Sequence, residues 1–169
     1  MADSCRTEVY IEGSKEAIDN FVDRFEKCHS GPYPNQEEAP HIVDEFGADA
    51  ELFIDKVGSK WVEIFDEGFY HSNDNRCEIY LDSAWYPPSD MILEIYRQMA
   101  EIDSEIKVSG KYWDEGYQPI GVFEVYYGQI ISEEQDIDDD EDQEYFWDDI
   151  VEPAFELLQK KLDKVMEEI

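Results

Sequence analysis

Residues 60–88, KWVEIFDEGFYHSNDNRCEIYLDSAWYPP, decide how the rest of the chain is read. Two runs rich in β-branched and aromatic residues, Lys60 to Phe65 and Arg76 to Trp85, flank the turn-like HSNDN at 71–75. That arrangement predicts an antiparallel hairpin. Pro87 and Pro88 cannot continue the second strand, and Pro88 with Ser89 predicts the start of a helix. Met91, Ile92, Ile95, Tyr96, Met99 and Ile102 then fall on one helical face.

Towards the N-terminus, residues 5–12, CRTEVYIE, alternate as a strand does, with Val9 and Ile11 on one side. Ser14 is placed to cap a following helix, Glu16 to favour its positive end, and Ile18, Phe21, Val22 and Phe25 carry the helix to about Lys27. Three prolines between His29 and Pro40 predict a loop, and residues 41–57 have no single period. Towards the C-terminus, two strands are expected, Ile106 to Trp113 and Gly121 to Ile131, joined by a tight turn at 114–119. Val151, Phe155, Leu158, Leu162, Val165 and Ile169 define a last amphipathic helix, with Pro153 in its first turn.

The expected fold class is therefore α+β, a ferredoxin-like antiparallel sheet with two helices on one face, plus an extra strand and a C-terminal helix. Residues 1–131 would form that domain, and residues 132–169 an acidic segment and helix packed on it. No internal repeat is evident. The one low-complexity stretch is IDDDEDQE at 137–144.

The charge is lopsided. Among 169 residues, 44 are acidic and 13 basic, a formal net charge of -31, yet 42% are hydrophobic and 14% aromatic. A disordered acidic chain lacks such a core composition, so the acid is laid over a folded interior. No Lys or Arg occurs between Lys111 and Lys160, and eleven carboxylates crowd into Glu133 to Asp149. Like charges raise the energy of a compact state, so something else must favour them there. Adaptation to brine is one reading, but nine Lys against four Arg argue against it.

Familiar catalytic patterns are missing. Cys5, Cys28 and Cys77 are odd in number and widely spaced, without a CxxC pair, so they read as small buried residues. His29, His41 and His71 lie in or beside loops, no glycine-rich phosphate loop is present, and no serine sits in a G-x-S-x-G elbow. Asp136, Asp138 and Asp140 have the spacing of a calcium loop, but positions 6 and 12 would be Glu141 and Trp147 instead of Gly and Glu. No enzyme, no cofactor and no metal site is expected. No stretch approaches the length of a membrane helix and Met1 to Arg6 does not resemble a leader, so a cytoplasmic location is the expectation.

Carboxylates on alternate strand residues repeat at about 6.6 Å, and at i, i+4 on a helix at about 6 Å, both close to the phosphate step of a nucleic-acid strand. A rigid acidic protein can thus enter a groove built for DNA or RNA, each acid meeting an Arg or Lys through a charge-assisted hydrogen bond. Tyr145, Phe146 and Trp147 interrupt the run between Glu144 and Asp148, as anchors do within a charged rim. The expected partner-binding residues are Glu133, Glu134, Asp136, Asp138, Asp139, Asp140, Glu141, Asp142, Glu144, Trp147, Asp148 and Asp149. Further acids from Glu37 to Asp55, and Asp66, Glu67, Asp74 and Glu78, leave no basic face, which excludes direct nucleic-acid binding.

VGSKWVEIF at 57–65, IYLDSAWYPP at 79–88 and VSGKYWDEGYQPIGVF at 108–123 carry a resemblance. Lys60-Trp61, Ser83-Ala84-Trp85 before Pro87-Pro88, and Tyr112 through Gly116 followed by Gly121 are similar to the YubB ferredoxin-like domain family, across roughly residues 50–130. The resemblance implies a ferredoxin-like fold and a plasmid or phage origin, and carries no activity over to any residue. With the charge pattern, it leads to the expectation of a mobile-element inhibitor that blocks the nucleic-acid channel of a host defence protein, a CRISPR effector complex or restriction enzyme. The alternative is an acidic module for another basic host protein unconnected with defence.

Overall fold

The computed structural model describes residues 3–47, 59, 61–138 and 144–169, with the side chains of 66–72 outside that description. The elements are β1 (Ser4–Glu12), α1 (Lys15–Glu26), α2 (Ile42–Phe46), β2 (Val62–Asn73), β3 (Arg76–Ala84), α3 (Ser89–Ala100), β4 (Lys107–Asp114), β5 (Ile120–Tyr126), β6 (Gln129–Gln135), a π-helical turn (Trp147–Val151) and α4 (Glu152–Glu168). The strands form one sheet in the order β2-β3-β1-β4-β5-β6, every neighbouring pair antiparallel. The protein is thus α+β on an antiparallel sheet. The expected strand start at Lys60 and the part of the mixed stretch from Ala48 to Val57 lie outside the described residues. The earlier part, Ile42–Phe46, is a short helix.

Alternation decides the two sides of the sheet. Cys5, Thr7, Val9 and Ile11 of β1 are buried, and with Ile79, Leu81 and Val108 they meet the apolar faces of α1, α2 and α3. Phe21 and Phe46, 5.2 Å apart between ring centres, and the neighbouring Phe25 tie α1 to α2. Ser14 caps α1 as its position predicts, its Oγ accepting from the Ala17 amide at 3.2 Å. A second core lies on the opposite side of β5, where Ile120 and Val122 meet Val151, Phe155, Leu158 and Leu162 from the turn before α4 and from α4 itself.

One expected element is two. The strand predicted from Gly121 to Ile131 is a hairpin, β5 and β6, turning at Tyr127 and Gly128 with φ of 47° and 77°. Two successive left-handed residues make the tight turn that right-twisted strands require, and a tyrosine in the first place hides it from a sequence reading. The domain boundary expected after residue 131 therefore falls inside β6. Cys5 and Cys77 are buried as expected, whereas Cys28 is only half-buried.

The sheet also discloses a repeat that the sequence reading passes over. β1 carries Arg6-x-Glu8-x-Tyr10-x-Glu12, and β3 carries Arg76-x-Glu78-x-Tyr80-x-Asp82. The two run antiparallel in register, so that Arg6 faces Asp82, Glu8 faces Tyr80, Tyr10 faces Glu78 and Glu12 faces Arg76. Each tyrosine hydroxyl donates to the glutamate two residues before it, Tyr10 to Glu8 at 2.5 Å and Tyr80 to Glu78 at 2.8 Å. Arg6 pairs with Asp82 at 3.4 Å and Arg76 with Glu12 at 3.2 Å. All of these side chains lie on the sheet face away from α1, α2 and α3.

Candidate functional site: an acidic segment clasped at both ends

The expected partner surface begins in β6. Glu134 lies across from Gly121, which in turn lies across from Tyr112 on β4. A Cβ on Gly121 would fall 2.3 Å from the Tyr112 ring, so only glycine lets the phenol lie over this point of the sheet. The Tyr112 hydroxyl then donates to Glu134 at 2.6 Å. Burial first, and the adjoining Glu134 carboxylate second, push the Tyr112 phenol far above its ordinary range. Glu133, on the other side of β6, points to the side where α4 packs and is half-buried.

Past β6 the chain is fastened by the loop at 114–119. Asp114 orders that loop, its Oδ1 accepting from the Gly116 amide at 2.7 Å, and Tyr117 takes up a left-handed φ of 61°. The Ile137 amide donates to the Tyr117 carbonyl at 2.9 Å, and the Ile137 side chain is buried in the second core. Asp136 and Asp138, on either side of it, are exposed, and Gln118 Nε2 reaches Asp138 at 3.4 Å. Asp139, Asp140, Glu141 and Asp142 lie outside the described residues. The description resumes at Glu144, and Phe146 meets the Tyr117 ring edge to face at 5.2 Å. Trp147 packs against Trp113 at 5.1 Å and Phe155 at 6.1 Å. Tyr117 therefore holds both ends of the acidic segment, one by its carbonyl and one by its ring.

This geometry separates the expected site residues into groups. Glu134 is engaged by Tyr112, and Trp147 is half-buried as a clasp residue. Asp136, Asp138, Glu144, Asp148 and Asp149 are exposed along the outside. Asp148, Asp149 and Glu152 also stand where α4 begins, and there they favour the positive end of the helix dipole. Tyr145, 59% exposed, is the aromatic that the run does present to solvent.

The paired cations lie earlier in the chain. Every ion pair among the described residues lies at or before Glu124, including Arg24 with Glu45 at 2.6 Å and Lys111 with Glu8 at 3.7 Å. None of them involves a described residue between Glu133 and Asp149.

The histidines are occupied with structure. His41, 1% exposed, accepts from the Val43 amide through Nδ1 at 3.1 Å and donates from Nε2 to the Gly31 carbonyl at 2.9 Å. His29 Nδ1 accepts from the Gly31 amide at 3.2 Å, which leaves Nε2–H to donate to Asn35 at 2.9 Å. Their rings meet edge to face at 5.0 Å, locking the start of α2 onto the loop. The side chain of His71 is outside the described residues. Among the described residues no group of three or more His, Cys, Asp or Glu is placed to hold a metal ion, and no helix is long and apolar enough to cross a membrane.

Sequence reasoning found the acids but missed Tyr117, Ile137 and Gly121, which position them. The signal available was Ile137 itself, one apolar residue inside an otherwise acidic stretch. No protein-family model, curated protein or solved structure matches the chain.

Proposed function

We propose that this protein is a stoichiometric inhibitor, encoded by a mobile genetic element, that occupies the positively charged nucleic-acid channel of a host defence protein in the host cytoplasm. The target class is a CRISPR effector complex or a restriction enzyme. The observation that carries the reading is the acidic segment from Glu133 to Asp149, fastened at both ends to the second core and without a cationic partner among its described residues. An acid that is held, as Glu134 is by Tyr112, need not be ordered on binding, so more of its charge-assisted contact is retained as affinity. The uncompensated field also speeds encounter with a basic groove, most strongly at low salt.

The fold reading that accompanies it is ferredoxin-like. It is supported by the order β2-β3-β1-β4, with helices joining β1 to β2 and β3 to β4, and by the similar β1 and β3 motifs. In that reading β5, β6, the acidic segment and α4 are additions, and the additions carry the function.

The test has two parts. A pull-down from host lysate at about 0.15 M salt and again at about 0.5 M should retain one DNA- or RNA-guided complex or nuclease, which nucleic acid then displaces. The joint variant Asp138→Asn, Asp139→Asn, Asp140→Asn, Glu141→Gln should weaken inhibition sharply with the circular dichroism spectrum unchanged. Undiminished potency would sink the mimic reading. Retention of a basic protein unconnected with defence would replace it with the alternative of a general acidic binding module.

A further inference from the structure

Helix α3 carries more apolar surface than the sheet uses. Met91, Ile92, Ile95 and Met99 are buried in the first core. Leu93, Tyr96 and Ala100 form a second stripe at i, i+3 and i+7, and are only partly buried. The reason lies in the sheet. β5 and β6 extend it past α3, and on their other side α4 packs along them. On this side α3 offers β6 only its flank, leaving an open groove of about 560 Å³ between the second stripe and the β5–β6 turn at Gly128.

Three features say what the groove accepts. Its floor is apolar, made by Leu93, Tyr96 and Ala100. Its rim carries Asp90, Glu94 and Glu101 against the single cation Arg97, which already pairs with Glu94 at 2.5 Å and Glu101 at 3.0 Å. Next to Gly128, which lines the groove, Tyr127 is 83% exposed at a φ of 47°, its ring edge-on to that of Tyr126 at 4.6 Å. An apolar floor, an acidic rim and an aromatic post fit a helix with an apolar stripe flanked by Lys and Arg.

We infer that this groove docks a basic amphipathic helix of a partner protein, its apolar stripe entering between α3 and the β5–β6 turn and its basic flanks meeting Asp90, Glu94 and Glu101. The site is separate from the acidic segment and does not depend on the inhibitor reading.

The experiment uses the full chain, isotopically labelled, and two synthetic peptides of about 18 residues, enough for five helical turns. One is a Leu/Lys amphipathic helix and the other a scramble of the same composition. Salt of about 0.3 M screens binding that is charge alone. The expected result is at least about tenfold tighter binding of the amphipathic peptide than of the scramble, a gap that equal charge cannot produce. Amide shifts should map to Leu93–Ala100 and Tyr126–Gln129, and Leu93→Gln should remove the preference. Tyr127→Ser, at an exposed position, should weaken binding several-fold and keeps the test open if Leu93→Gln fails to fold. Equal binding of both peptides would overturn the proposal, as would shifts confined to 133–152. Self-association that moves the α3 amides without peptide would also overturn it, by making a second copy the occupant.

Discussion

The phenol of Tyr112 reaches over Gly121 to hold Glu134 at 2.6 Å, so an acid in the middle of the expected binding surface is set by a residue two strands away. Gly121→Ala places a Cβ on the ring and should cost about 1–3 kcal/mol, as overpacking does. Chemical denaturation would measure it. In a Tyr112→Ser background the same substitution should cost clearly less, because the clash has gone. Equal costs in both backgrounds would show that the ring is not what excludes a side chain there.

Tyr117 is the clasp on the acidic segment. Tyr117→Ala removes its contacts with Phe146 and Trp147 and should lower stability by about 1–3 kcal/mol. Cleavage after Glu144 by a glutamate-specific protease should become several-fold faster, because Phe146 and Trp147 would release more often. Tyr117→Phe should behave as the parent, since only the carbonyl and the ring are used. A fast-cleaving Phe variant would contradict the clasp.

Burial pushes the thiols of Cys5 and Cys77 up from the ordinary 9.0 to about 12. Both folded values are raised, so the folded protein keeps protons that the unfolded chain loses. The contribution is complete below pH 9 and is lost as pH rises from 9 towards 12. The loss should be at most about 1.4 kcal/mol per pH unit for each thiol. Urea midpoints measured at pH 8 and pH 10 would show the fall. Cys77→Ala, compared with its own value at pH 8, should show a shallower one.

Self-repulsion sets the response to salt. With 44 acids against 13 bases, raising sodium chloride from about 0.05 M to about 0.5 M should raise the melting temperature, because screening weakens repulsion over more than a Debye length. A melting temperature that falls over that range would mean that the ion pairs of the first 124 residues outweigh the unpaired acids.

The β1 and β3 motifs yield a matched pair of outcomes. Tyr10→Phe and Tyr80→Phe each delete one hydrogen bond to a glutamate two residues earlier on the same strand. Each should cost about 0.5–1.5 kcal/mol, and the two costs should agree to within the error of chemical denaturation. Widely different costs would show that the repeat in sequence is not a repeat in energetics.

Much of the fold is legible locally. Ser14 as a cap, Pro88 before α3 and the alternation of residues 5–12 are signals spanning a few residues, and each reads true. The hairpin β5–β6 is not legible, because Tyr127 adopts a backbone conformation that its side chain gives no reason to expect. The R-x-E-x-Y-x-[E/D] repeat is hidden for another reason. Its two copies stand 70 residues apart, and their kinship becomes visible only when β1 and β3 lie side by side. At the candidate site, composition located the acids, while the residues that fasten them act across strands and loops that no local window contains.

The division of charge along the chain has a mechanical consequence. Up to Glu124 the chain carries 28 acids against 10 bases, whereas the far shorter segment from Glu133 to Asp149 carries 11 acids and no base, so its negative charge is much denser. The molecule is therefore a permanent electric dipole as well as a polyanion. In the field of a basic surface it experiences a torque before it experiences contact, and it turns its acidic end forward while still in solution. Rotation thus does part of the search that translation would otherwise do alone.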